Sequence, residues 1–185
     1  MIYEWDGERF NEFQEIPSQW AYEWESFDIA GTPFLSLTDH LRDSHIYRWD
    51  GEQFLEFQTF EGQGGRAFEF FEIDGEPFLA WARISKPSII YRWSGEQFVE
   101  FQTLPPLGGR NFTYFTVAGQ SYLFQTLFIT GTREAPQSEQ QSPLYAWNGE
   151  QFEVAQHLTT YGGVSAEWFE FRGTPYLAVA NSLSP

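Results

Sequence analysis

The stretch Ile46-Tyr47-Arg48-Trp49-Asp50-Gly51-Glu52-Gln53-Phe54-Leu55-Glu56-Phe57-Gln58 decides the fold, because its pattern occurs four times. Its markers Tyr47, Trp49, Gly51, Phe54 and Gln58 stand earlier as Tyr3, Trp5, Gly7, Phe10 and Gln14. They return as Tyr91, Trp93, Gly95, Phe98 and Gln102, and again as Tyr145, Trp147, Gly149, Phe152 and Gln156. The offsets are 44, 44 and 54 residues, and a second ladder, Gly31, Gly75, Gly119 and Gly173, keeps the same offsets. Two ladders with one spacing identify tandem units of a repeat architecture.

Each unit reads as four short strands. Ala67–Ile73, Phe78–Trp81, Ile89–Trp93 and Phe98–Phe101 are rich in aromatic and β-branched residues, and no helical period competes with them. Asp74-Gly75-Glu76-Pro77 and Ser94-Gly95-Glu96-Gln97 are short connections suited to antiparallel hairpins. A four-stranded meander repeated at this period predicts an all-β propeller with four-stranded antiparallel blades.

The hairpins also set the phase. Strands joined so tightly belong to one sheet, so blade boundaries fall in the looser stretches after Gln14, Gln58, Gln102 and Gln156. One repeat domain is expected over residues 1–185, with blades near 20–58, 64–102 and 108–156. A composite blade would join 162–181 to 2–14. Gly64-Gly65, Gly108-Gly109 and Gly162-Gly163 supply backbone freedom at the crossings. Sharing one blade between the termini would close a ring and remove exposed sheet edges. Closure within one chain gives a four-bladed monomer, and closure between two chains an eight-bladed homodimeric ring; the sequence leaves both open.

Composition narrows the functions. The 26 acidic residues outnumber 10 basic ones, for a formal charge of −16, which disfavours nucleic acid and anionic lipid. No cysteine is present, so disulfides, thiolate metal sites and cysteine nucleophiles are excluded. No apolar run reaches membrane-spanning length, and Met1–Trp5 enters the repeat without a signal-like segment, so a soluble chain is expected. There is no phosphate-binding loop with lysine, no Gly-x-Ser-x-Gly and no His-Glu-x-x-His. Acids such as Glu12, Glu56 and Glu100 recur with the repeat, which marks them as structural. A non-enzymatic protein is the expectation.

Several residues stand out as candidate site residues. Glu25, Glu69 and Glu167 form one column on the innermost strands, and Asp28, Glu72 and Glu170 a second; the third unit has Thr113 and Thr116 instead. Converging on a central channel, such carboxylates would hold a hard cation such as Ca²⁺; otherwise they face water or pair with Arg66 and Arg110. Those arginines follow the glycine pairs, where Tyr22 and Val164 stand in the other units, and could take an anionic ligand or the nearby acids. His40 and His45 with Asp39 and Asp43 are a weaker metal candidate. Trp20 and Tyr161 are non-repeating aromatics at crossings and are candidate contacts for a partner. Residues 133–143 are an insertion with the composition of a mobile loop on the same face. Asn111-Phe112-Thr113 matches a glycosylation acceptor, but on an inner strand, where the match is fortuitous.

The recurring Tyr-x-Trp-x-Gly-x-x-Phe, the following Gln, and Gly-x-Pro-Phe-Leu or Gly-x-Pro-Tyr-Leu resemble the EPTP repeat, also called the epilepsy-associated or EAR repeat. Ile46–Ala82 and Tyr145–Asn181 carry the resemblance best. It implies a propeller that binds other proteins, extracellular as family members are; they carry seven repeats where this chain has four. Protein recognition through the loop face is therefore the expected function, with a carbohydrate-binding propeller as the alternative.

Overall fold

Turn chemistry dictates the strand pairing. Ala30-Gly31, Asp74-Gly75, Ala118-Gly119 and Arg172-Gly173 all have both residues at positive φ, the two-residue turn whose twist suits a hairpin. At the second kind of turn, one side chain caps two backbone N–H groups. Asp50 Oδ1 accepts from Glu52 and Gln53 at 2.8 Å, and Asp6, Ser94 and Asn148 do the same in the other units.

In the computed structural model, which describes residues 1–183, these hairpins assemble into three four-stranded antiparallel sheets. The first contains β3 (Ala21–Ile29), β4 (Thr32–Asp39), β5 (Ser44–Trp49) and β6 (Phe54–Phe60) in sequential order. The second contains β7 (Gly65–Ile73), β8 (Glu76–Arg83), β9 (Ser88–Trp93) and β10 (Phe98–Leu104). The third contains β11 (Gly109–Val117), β12 (Gln120–Leu127), β15 (Glu139–Trp147) and β16 (Phe152–Tyr161). A small hairpin, β13 (Thr130–Gly131) with β14 (Pro136–Gln137), lies between its second and third strands. Two further hairpins flank the three sheets: β1 (Ile2–Trp5) with β2 (Phe10–Gln14), and β17 (Gly163–Phe171) with β18 (Thr174–Asn181). No helix occurs among the described residues, so none is long and apolar enough to cross a membrane.

The innermost strands β3, β7, β11 and β17 pack one against the next, the arrangement of propeller blades. Aromatic rings fill each junction. Phe27 stacks on Phe70 at 4.5 Å, Phe71 on Tyr114 at 4.6 Å and Phe115 on Trp168 at 5.9 Å. Burying one such side chain contributes roughly 1.5–3 kcal/mol, so the repeated aromatics are blade packing.

Three features bear on those expectations. The hairpins β1–β2 and β17–β18 are not hydrogen-bonded to each other, so of the two closures that the sequence leaves open the one within a single chain is not made, and the arc is open. The insertion is not a mobile loop: it folds as the β13–β14 hairpin and the start of β15, whose Glu139–Pro143 pairs with His157–Tyr161. The glycine pairs do two jobs. Gly64, Gly108 and Gly162 have positive φ, but a Cβ on Gly65 would lie 2.5 Å from Ser44 Oγ and one on Gly109 2.6 Å from Ser88 Oγ. The second glycine is required by close approach.

Candidate functional site

Loops of one face are laced together by backbone hydrogen bonds. His40 N donates to Trp20 O, Gly64 N to His40 O, Ile84 N to Gly64 O, Gly108 N to Ile84 O and Phe128 N to Gly108 O. After the β13–β14 interruption the series resumes with Gly162 N to Ser138 O and Ser182 N to Gly162 O. Crossing loops thus alternate with the loops inside each sheet to make a continuous rim. On it stand four exposed apolar side chains, Trp20, Leu41, Leu107 and Leu183. A cleft of about 430 Å³ opens among Ile84, Leu107, Ile129 and Pro136. The opposite face carries the glycine turns and their polar caps.

Trp20 is exposed, its ring edge-on to His40 at 5.5 Å. Tyr161 is half-buried at the end of β16, where its N–H donates to Asn181 Oδ1 at 2.9 Å. These two residues lie on the first and last crossings, so the rim holds both without bringing them together.

Arg66 and Arg110 do meet, and the reason is a β-bulge. Each inner strand slips register at its second residue, which is Tyr22, Arg66, Arg110 and Val164 in turn. Bulges re-aim the side chain they carry. Here the Arg66 guanidinium lies 4.1 Å from the Tyr22 ring centre and that of Arg110 4.9 Å. Neither arginine forms an ion pair with a carboxylate among the described residues. Their pairing with the inner-strand acids, one reading of the sequence, is replaced by cation–π contact with one ring.

The inner carboxylates reach sideways instead of toward the axis. Glu25 Oε1 accepts from Phe70 N and Glu69 Oε1 from Tyr114 N, each at 2.8 Å, stitching one inner strand to the next. Where the third unit has Thr113, its hydroxyl donates to Ala166 O at 3.0 Å. Burial pushes the Glu25 carboxyl up to about 8; the Phe70 N–H opposes this, and the Glu69 and Glu23 carboxylates reinforce it. Glu69 is raised to about 7 by burial against the Tyr114 N–H, and Glu23 to about 7 by burial against the Arg110 charge. With one oxygen of each turned to a backbone N–H of the next strand, Glu25 and Glu69 do not converge on a shared point.

The second column is no better placed for a cation. Asp28 caps Gly31 N at 2.6 Å, and Glu72, Glu167 and Glu170 are exposed. Among the described residues no three acidic or histidine side chains converge on a metal-sized site, so the two columns do not make the Ca²⁺ site that convergence on a channel would have given. The histidine cluster also disperses. Asp39 accepts four backbone N–H groups, from Gln19, Trp20, Leu41 and Arg42, and Asp43 accepts from Gly62 N. His45 lies beside Glu56 at 3.5 Å.

A set of functional contacts escaped the sequence reading. Gln14 grips both backbone groups of Phe54, Gln58 those of Phe98 and Gln102 those of Phe152, at 2.7–2.9 Å. Beside each grip an outer-strand bulge turns one ring onto the next blade, pairing Phe13 with Trp49, Phe57 with Trp93 and Phe101 with Trp147, each at 5.9 Å. The fourth set is incomplete. Gln156 makes no such grip among the described residues, and Ala155 occupies the ring position.

Comparison with known proteins agrees with the repeat. No curated protein matched the chain. The profile of the EPTP domain matches three consecutive segments, residues 9–50, 53–94 and 97–148. The first segment starts at β2 and the other two at the fourth strand of one sheet, and each runs through the third strand of the next sheet, so the family unit spans a junction with its glutamine grip. With most of its length matched in this way, the chain belongs to the EPTP domain family.

Proposed function

We propose that this chain is a non-enzymatic, propeller-type module that recognises another protein through its loop rim, and that its two flanking hairpins are the halves of one blade. The observation that carries the reading is the set of exposed apolar residues on the laced rim and the cleft that opens there. Trp20, Leu41, Leu107 and Leu183 lie on the laced rim, and Leu107 lines its cleft with Ile84, Ile129 and Pro136. Exposed apolar groups spaced along a rigid rim offer an extended interaction surface. EPTP membership supports a protein partner, and the charge of −16 favours one with a basic face.

The test is affinity capture with the recombinant chain, followed by titration of the purified interactor against two variants. Leu107→Asp on the rim should weaken binding at least tenfold, and Glu52→Lys on the turn face should change it less than twofold. Equal effects from both, or an interactor whose binding survives substitution of Trp20, Leu41 and Leu107 together, would remove the rim from the account.

A further inference from the structure

The remaining exposed aromatics belong to the two open ends of the arc. Tyr3, Trp5 and Phe10 of the first hairpin are 53%, 54% and 68% exposed, whereas their equivalents Tyr145 and Phe152 are each 2% exposed. The hairpin is nevertheless preassembled. Its Trp5 and Phe10 rings lie 5.1 Å apart, as do those of Trp49 and Phe54 and of Trp93 and Phe98. It is a finished outer half-blade with nothing covering its inner edge.

At the other end a matching socket is open. A cleft of about 440 Å³ is lined by Phe115, Tyr122, Leu144, Ala155, Trp168 and Tyr176. At the preceding junction the equivalent space, among Phe71, Phe78, Ile90 and Phe101, is filled by Tyr145, Trp147 and Phe152. Those three residues are the repeat equivalents of Tyr3, Trp5 and Phe10. Gln156, the one marker glutamine without a grip, borders the same cleft and lacks the backbone that Phe10 would offer.

We infer that a second copy of this chain supplies the missing half-blade, its Tyr3, Trp5 and Phe10 entering the cleft beside Ala155 so that two copies close one eight-bladed ring. The chain's own hairpin is held elsewhere. Gln14 grips Phe54, Phe13 packs on Trp49 at 5.9 Å, and Ile2 packs against Ile16, Leu37 and Tyr47. The three internal junctions use one grip and one ring spacing, so they turn the chain by similar amounts. A four-bladed ring needs about 90° per junction and an eight-bladed ring about 45°. Here four blade positions leave the ends apart. Two copies related by a twofold axis satisfy both plugs and both sockets at once, and no sheet edge remains.

The register follows from the intact sheets. Tyr47, Tyr91 and Tyr145 face Leu35, Leu79 and Leu123, so Tyr3 of one copy faces Leu177 of the other. Glu167 of each copy then reaches Ser26 N of the other, as Glu25 reaches Phe70 N. This pairing rests on the blade reading proposed above and is independent of what the rim binds.

Because the chain has no cysteine, the pairing can be trapped. Facing residues lie within disulfide reach, so the Tyr3→Cys, Leu177→Cys double variant, oxidised mildly, should run at twice the chain mass on a non-reducing gel and at the chain mass after reduction. Ile2→Cys with Ala178→Cys, facing as Ile46 faces Ser36, should do the same, and each single variant should not. A disulfide inside one chain would show self-closure, and a ladder of higher species an open polymer; either overturns the two-copy ring, as does failure of both pairs to cross-link in folded protein.

Discussion

Gln102 holds Phe152 by both of its backbone groups, Nε2 donating to the carbonyl at 2.7 Å and Oε1 accepting from the N–H at 2.9 Å, across 50 residues of chain. The same grip recurs at Gln14 and Gln58, so the unit of cohesion is the junction between blades as much as the blade itself. Removing the side chain would leave two partly buried backbone groups unpaired. Gln102→Ala should therefore destabilise the chain by roughly 1–3 kcal/mol in denaturant unfolding. A loss below about 0.5 kcal/mol would show that the grip is incidental.

Gln156 gives the contrast. With no grip inside one chain, Gln156→Ala should leave unfolding of the dissociated chain unchanged but raise the dimer dissociation constant about fivefold or more. Sedimentation at several concentrations checks this. An unchanged dissociation constant would mean that Gln156 does not reach Phe10.

Two buried carboxyls with raised pKa values impose a pH dependence. Glu25 and Glu69 titrate near 8 and 7 in the folded chain and near the ordinary 4.5 when unfolded. Between these values the folded state holds more protons, so their contribution is complete below about pH 4.5 and is lost as pH rises through 7 to 8. Glu25→Gln with Glu69→Gln keeps the acceptor for each backbone N–H and removes the titration. The double variant should be more stable than the parent at pH 8.5 and show a flatter profile from pH 5 to 8. Parallel profiles would contradict the buried neutral carboxyls.

The same carboxyls bear on cation binding. Millimolar Ca²⁺, or its removal by a chelator, should leave the melting temperature unchanged. A rise with Ca²⁺ would reveal a native-state site.

Gly65 tests the close approach of adjacent blades. Its added Cβ would meet Ser44 Oγ at 2.5 Å and the Asp39 carbonyl at 2.9 Å, so Gly65→Ala should cost roughly 1–3 kcal/mol. In the first unit Ala21 occupies this position, and it is exposed. Reading the melting temperature of Gly65→Ala and Ala21→Gly side by side separates crowding from loop flexibility.

The periodic markers made the strands legible, because Gly75 or Phe98 reports its own local structure: a turn needing positive φ, a ring on a packed face. Gln58 was visible only as a marker. Its partner Phe98 lies 40 residues on, and spacing cannot say which neighbour a side chain reaches in the folded state. The contacts of Arg66 and Glu69 were out of reach for a related reason. A bulge at Arg66 turns one side chain out of the strand's alternation, and the bond from Tyr114 N draws Glu69 sideways; residue order records neither. The insertion was misjudged from composition, which does not register that Gln140 caps the hairpin by donating to Gln137 O.

The central claim is that each chain is an open arc completed by its twin, and the solution mass measured by light scattering at micromolar concentration tests it most directly. The account predicts twice the 21.6 kDa of the chain, falling to a single chain in Ala155→Trp, which fills the socket without altering the circular dichroism spectrum. A parent mass of one chain, unaffected by that substitution, would contradict it.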